Sequence, residues 1–286
     1  MSAAKRGKAT PVVAGPAKSI DLTPLVLPRS IALIVELPPG LGRSEIEDDL
    51  LAGGFTGSYT RVEVRADRRL SATTIPRADL ALISVSATRV PALVDACRRR
   101  GFRAAVVLNG PEGDIDAAAG SWKKLAAIAS RSRSMAILGP NSQGVISVPN
   151  HLFAGTGSLL RNHDLRPGRV AVVTQSGLGH ALVALGDAAG IGFSHIVATG
   201  NEIGVDIVDA VRWVADRSEV GIIWVITESI RRGRSLIEAG REAQRFGKTV
   251  LVWKTGHSAA GRLAARSHTG AVATEERIFQ AGAIGT

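Results

Sequence analysis

Disulfide chemistry is excluded at the outset, because the 286-residue chain has a single cysteine, Cys97. One cysteine also rules out a Cys-based zinc site. Aromatic residues make up only 4% of the chain, and its longest apolar runs fall short of the eighteen residues that a membrane-spanning helix needs. Short-period repeats are missing too. What is abundant is small and aliphatic. The chain is 45% hydrophobic, mostly Ala, Val, Ile and Leu, and it carries 32 glycines. That composition can bury two sizeable cores and points to short parallel strands alternating with Ala-rich helices. The basic start, Met1-Ser-Ala-Ala-Lys-Arg-Gly-Lys8, runs into prolines rather than an apolar stretch, so no signal peptide is expected and the cytoplasm is the expected compartment.

Lys and Arg number 35 against 25 Asp and Glu, a formal charge of +10. An excess of that size suits either nucleic acid or an acidic small ligand. The basic residues are scattered, as at Arg98-Arg99-Arg100, Arg131, Arg133, Arg231-Arg232 and Arg234, mostly near expected helix ends. There a cation complements the helix dipole and faces water. None of these groups is interleaved with aromatics to stack bases, so nucleic acid is not expected as a partner.

Residues 1–27, with little periodicity, read as a flexible lead-in. A βα series follows. Continuous apolar runs at 30–37, 79–85, 104–110 and 135–139, with a short alternating strand at 61–65, are separated by helical patterns at 44–53, 89–101 and 114–132. Runs without polar alternation are buried on both faces, as in parallel sheets. Between 146 and 168 the rhythm lapses into turn residues, which read as an extended crossover. It resumes with strands at 169–174, 193–199, 220–227 and 249–253, helices at 177–189, 205–216 and 229–246, and a helical piece near 258–266. The expected fold is α/β, with two consecutive doubly wound parallel-sheet domains at 28–147 and 169–286 joined by a linker at 148–168.

Ligands in such sheets bind beyond the carboxyl ends of strands, beside helix N-termini. The turn Thr174-Gln-Ser-Gly177 follows a strand and opens a helix, so Thr174, Ser176 and Gly177 form a candidate anion cradle or a plain N-cap. Gly139-Pro-Asn-Ser-Gln-Gly144 and Thr199-Gly-Asn-Glu202 end strands in the same way. Glu228 puts a carboxylate at a strand end, where it could orient a histidine or cap the next helix. None of the six histidines pairs with another ligand in metal spacing, and His268 lies in the small polar stretch Arg266-Ser-His-Thr-Gly-Ala271. A serine hydrolase would need Gly-x-Ser-x-Gly, which the context of Ser176 lacks. A nicotinamide enzyme would need Gly-x-Gly-x-x-Gly after the first strand, which is also missing.

Taken in order, Gly139–Gly144, 172–177, 190–195, 199–206, 228–233 and 267–271 resemble the NDP-forming acyl-CoA synthetases, relatives of the succinyl-CoA synthetase α subunit. The resemblance implies a Rossmann-like CoA-binding domain followed by a flavodoxin-like domain. It implies an acid–thiol ligase that forms an acyl phosphate and passes its phosphoryl group through a histidine to a nucleoside diphosphate. His268 matches the phosphorylated histidine and Glu228 its carboxylate partner. Thr174, Ser176 and Gly177 match the phosphate-binding helix start, and Asn141 and Ser142 the turn near the CoA thiol. Arg65 stands where a basic residue meets CoA phosphates. Further implications are coenzyme A as a substrate, ATP or ADP with Mg on a separate ATP-grasp β-type subunit, a small carboxylic acid or acyl-CoA as substrate, and an oligomeric assembly.

Departures from the family pattern accompany the match. Glu36-Leu-Pro-Pro follows the first strand where the family has a glycine and a small polar loop, and an acidic group there would repel phosphate. The helix after Gly177 is one residue short, and 272–279 about five residues short. A relative that keeps the fold and has lost turnover is the alternative expectation.

Overall fold

The computed structural model describes residues 20–36, 43–65, 74–110, 115–132, 134–157 and 163–255. The expected elements at 258–266 and the histidine at 268 therefore lie outside the described residues.

The first sheet is built from the apolar runs. Its strands are β1 (Ser30–Val35), β2 (Ser58–Glu63), β3 (Leu80–Ser84), β4 (Ala104–Val107) and β5 (Ala136–Leu138), all parallel, in the order β2-β1-β3-β4-β5. Strand β2 starts earlier than its alternation suggests, and only Val62 of it is buried. That is the signature of an edge strand. The crossover helices are α2 (Glu45–Ala52), α3 (Val90–Arg99) and α4 (Ile115–Arg131). Helix α2 starts where Ser44 accepts from the Glu47 N–H, with Glu45, Glu47 and Asp48 against its positive end. Helix α3 buries Val90, Leu93, Val94 and Cys97, the i, i+3, i+4, i+7 stripe legible in the sequence. Within the expected lead-in, a short helix, α1 (Thr23–Val26), precedes β1.

The second sheet comprises β6 (Gly144–Ser147), β7 (Leu152–Gly155), β8 (Pro167–Thr174), β9 (Phe193–Ala198), β10 (Ile222–Thr227) and β11 (Thr249–Lys254), in the order β11-β10-β8-β9-β6-β7. Strands β8 to β11 are parallel, and β6 and β7 run antiparallel at one end. The stretch read as an extended crossover thus begins as a hairpin of this sheet. Gly144 and Gly155 make it possible: a Cβ at Gly144 would sit 2.2 Å from the Ala154 carbonyl, and its φ of +96° favours glycine. Strand β6 pairs directly with β9, so the hairpin ties the end of the first sheet to the second.

Helices α5 (Gly177–Ala188), α6 (Ile207–Ala215) and α7 (Gly233–Arg245) cover the second sheet. Asp206 caps α6 by accepting from the Val208 and Asp209 N–H groups, and Asp209 reciprocates. One apolar cluster runs from Leu33, Leu82 and Val106 of the first sheet to Val173, Val225 and Val211 of the second layer. Burying each such side chain is worth about 1.5–3 kcal/mol, so the two sheets are welded rather than strung on a linker. Many of the scattered arginines are paired within the chain: Arg98 and Arg99 with Asp95, and Arg232 with Asp206 and Asp209.

Candidate functional site

Strand β8 delivers Thr174, fully buried, to the start of α5. Its Oγ1 donates to the Ser176 carbonyl at 2.9 Å, which folds the turn tightly. Ser176 occupies the N-cap position in extended conformation, yet its side chain makes no capping hydrogen bond. Ser44 at α2 and Asp206 at α6 spend their side chains on that task. The Ser176 hydroxyl and the backbone at Gly177 are thus left at the positive end of a twelve-residue helix.

Gln175 fixes this turn to the neighbouring strand. Its buried Oε1 accepts from Thr227 Oγ1 at 2.9 Å, from the Glu228 N–H at 2.8 Å and from the Ser229 N–H at 3.0 Å. Its Nε2 donates to the Ser229 carbonyl at 3.0 Å. Glu228 is thereby pinned beyond the end of β10, beside the α5 start. One of its oxygens, Oε2, is buried without a hydrogen-bond partner among the described residues. A buried acceptor of that kind calls for a donor. The only signal of Gln175 in the sequence is a long amide between a buried strand and a helix cap.

The turn that ends the first sheet comes up against the same place. A Cβ on Gly177 would lie 2.7 Å from Gln143 Nε2, so the 139–144 turn and the α5 start abut. Asn141, at φ +57°, donates from Nδ2 to Asn201 Oδ1 at 3.4 Å. Ser142 is committed internally: its Oγ donates to the Ala198 carbonyl at 2.6 Å and accepts from the Gly144 N–H at 2.9 Å. Its hydroxyl is part of the scaffold. Arg65 is exposed just past β2, at the first sheet's edge. His268 lies outside the described residues, so the structure brings Thr174, Ser176, Gly177, Glu228 and the Asn141 turn together and leaves Arg65 at the rim.

The loop after β9 supplies a second carboxylate. Glu202 is buried at φ +56°, accepts from Thr199 Oγ1 and the Ile207 N–H at 3.1 Å each, and has Arg231 Nε 3.9 Å away. Burial, with the nearby charge of Asp206, pushes its carboxyl up to about 7. His180, one turn into α5, is buried with neither ring nitrogen partnered among the described residues, and burial pulls it down to about 4.

At the end of β1, Glu36 reaches across to β3. Its Oε2 accepts from the Ser86 N–H at 2.8 Å and its Oε1 lies 3.2 Å from Arg89 Nε. A Ser-His-Glu chain does exist elsewhere: Ser147 Oγ is 3.1 Å from His195 Nδ1, and His195 Nε2 is 2.9 Å from Glu219. Ser147 is wholly buried and also accepts from Asn150 Nδ2, so this chain staples β6 to β9 and cannot meet a substrate. Among the described residues no cluster of His, Cys, Asp and Glu could hold a metal ion, and no helix is long and apolar enough to cross a membrane.

Comparison with known proteins gives a consistent answer. Residues 167–283 match the succinyl-CoA ligase like flavodoxin domain. The chain is 29% identical over 275 residues to the α subunit of an ADP-forming acetate–CoA ligase I of Pyrococcus furiosus, covering 92% of this chain and 58% of that one. Against ADP-forming acetate–CoA ligase II of Archaeoglobus fulgidus it is 25% identical, covering 91% of this chain and 40% of that one. Among solved structures, the dinucleotide forming acetyl-coenzyme A synthetase 1 of Ca. Korarchaeum cryptofilum, in complex with phosphate and ADP, superimposes with a TM-score of 0.77 at 30% identity, covering 92% of this chain and 57% of that one. The chain therefore spans about two-fifths to three-fifths of the length of these relatives. In its second sheet the chain carries the succinyl-CoA ligase like flavodoxin domain, and over nine-tenths of its length it is similar to ADP-forming acetate–CoA ligases.

Proposed function

We propose that this chain is the α-subunit-like component of an NDP-forming acyl-CoA synthetase, an acid–thiol ligase working in the cytoplasm with a separate ATP-grasp β-type subunit. It interconverts acyl-CoA, phosphate and NDP with a carboxylic acid, CoA and NTP. Phosphate attacks the thioester carbonyl, giving acyl phosphate and the CoA thiol. His268 then attacks phosphorus and the carboxylate leaves; phosphohistidine finally gives its phosphoryl group to NDP on the partner, which carries the nucleotide with Mg.

The observation that carries the reading is the Gln175 tie between the Ser176–Gly177 helix start and Glu228, with Glu228 Oε2 buried and unmatched among the described residues. Backbone N–H groups, the dipole of α5 and the Ser176 hydroxyl suit a phosphoryl group bearing negative charge. Glu228 is suited to hold the far ring nitrogen of His268 in the right tautomer and to stabilise the cation formed on phosphorylation. Asn141 and Ser142 lie in the turn that the resemblance assigns to the neighbourhood of the CoA thiol. Ser142 shapes that turn, and Arg65 is available at the rim for CoA phosphates.

The test is to incubate the chain with a family ATP-grasp subunit and γ-labelled ATP. Wild type should take up acid-labile, base-stable label, and His268→Ala should take up none. An unlabelled wild type, or undiminished label on His268→Ala, would overturn the catalytic role. A second reading, a non-catalytic CoA-binding or regulatory relative, is favoured by the Glu36 carboxylate at the end of β1. CoA binding without phosphorylation would support it.

A further inference from the structure

The chain leaves β1 for β2 on one side and returns to β3 on the other, so the crevice of the first sheet opens between the carboxyl ends of β1 and β3. Ligand phosphates in sheets of this order are met there, by backbone N–H groups of a turn leading into a helix. In this chain the crevice already contains an anion. Glu36 follows Val35 at the end of β1, its backbone N–H continuing the ladder to the Ser84 carbonyl. Its Oε2 takes the Ser86 N–H at 2.8 Å and its Oε1 pairs with Arg89 Nε at 3.2 Å, in the turn that opens α3. One amide N–H, one guanidinium and the positive end of a ten-residue helix are a donor set suited to a phosphate oxygen, and a side-chain carboxylate uses it.

We propose that Glu36 is an intramolecular competitor for the phosphate seat of the first sheet. It thereby sets the affinity and selectivity of this chain for phosphate-bearing ligands of the coenzyme A type. Binding of such a ligand there requires the carboxylate to leave Ser86 and Arg89 or the phosphate to stay outside. Neutralising or shortening Glu36 removes the carboxylate from the Ser86 N–H and from Arg89 Nε. The proposal rests on the reading of the first sheet as the CoA side of the enzyme, and it does not depend on His268 or on turnover.

The experiment is calorimetric titration of the full chain, wild type, Glu36→Gln and Glu36→Ser, with CoA and with phosphate-free pantetheine. Thermal melting checks that each variant is folded. Glu36→Ser should bind CoA at least tenfold more tightly than wild type. Glu36→Gln, which keeps the bulk and loses the charge, should show a smaller gain, enough to test the idea should the serine variant not fold. The gain should shrink with added salt and be confined to CoA. Wild type binding CoA as tightly as folded variants would overturn the proposal, as would an equal gain for pantetheine. A gain in CoA affinity with no labelling of His268 would leave this inference standing and remove the proposed turnover; labelling without any gain would do the reverse.

Discussion

Ser142 of the first sheet's last turn donates its hydroxyl to the carbonyl of Ala198, the final residue of β9 in the second sheet, at 2.6 Å. The same oxygen accepts from the Gly144 N–H, which starts β6. One buried hydroxyl therefore sets where the two sheets meet. Ser142→Ala removes both bonds and leaves the Gly144 N–H unmatched, an expected loss of about 1–3 kcal/mol. Urea unfolding measures it, and an unchanged midpoint would assign Ser142 a role other than scaffold.

Gly179 and Gly240 are both helical glycines with opposite expectations. A Cβ at Gly179 would lie 2.3 Å from Thr174 Oγ1, pushing the 174–177 turn off the helix. Gly179→Ala should cost about 1–3 kcal/mol despite the better helix propensity of alanine. A Cβ at Gly240 meets nothing within 4 Å, so Gly240→Ala should stabilise by roughly 0.5–1 kcal/mol. Melting temperatures moving in the same direction would contradict this packing.

Glu202 makes stability fall towards alkaline pH. With its carboxyl raised from 4.5 to about 7 by burial and by Asp206, the folded state retains the proton in that interval while the unfolded chain releases it. The stabilisation is complete below about pH 4.5 and is lost as pH rises to about 7. Glu202→Gln should gain on wild type progressively between pH 5 and 8, read as the difference in urea midpoint. A difference that is flat with pH would show that Arg231 keeps the carboxylate ionised.

His180 acts at the other end of the scale. Its ring stays neutral because burial lowers it from 6.5 to about 4. The associated stability is present above about pH 6.5 and is lost as pH falls towards 4, by on the order of 2–3 kcal/mol. His180→Leu should lessen the acid sensitivity in chemical denaturation between pH 6.5 and 4.5. An unaltered slope would mean that a partner or water reaches the ring.

Gln175 is the residue on which Glu228 depends. Gln175→Leu leaves the Glu228 and Ser229 N–H groups without their common acceptor, while the Thr227 hydroxyl keeps the Ser229 carbonyl at 2.6 Å. The expected result is a loss of about 2–4 kcal/mol in stability. In the labelling assay, phosphohistidine should fall at least tenfold in protein that remains folded at low temperature. Gln175→Glu, which keeps an acceptor, should recover part of both.

The amino-acid sequence alone determined the α/β class, the order of the βα units and the strand-end positions of Thr174, Ser176, Glu228 and Asn141. Apolar runs without alternation and small-residue turns are local signals that survive without knowledge of the fold. Which side chains those turns would meet was decided only in three dimensions. The hairpin at 144–155 is hidden in the sequence, because its strands are four residues each and their partner β9 lies about fifty residues away. Gln175 looks like any polar turn residue until the end of β10 and the two residues after it supply its three donors. That Ser142 is buried and bonded across the two sheets, and that Glu36 is bonded to Ser86 and Arg89, is legible only in the tertiary structure. Hydrophobic periodicity is written along the chain, whereas a polar side chain takes its meaning from the groups that burial sets beside it.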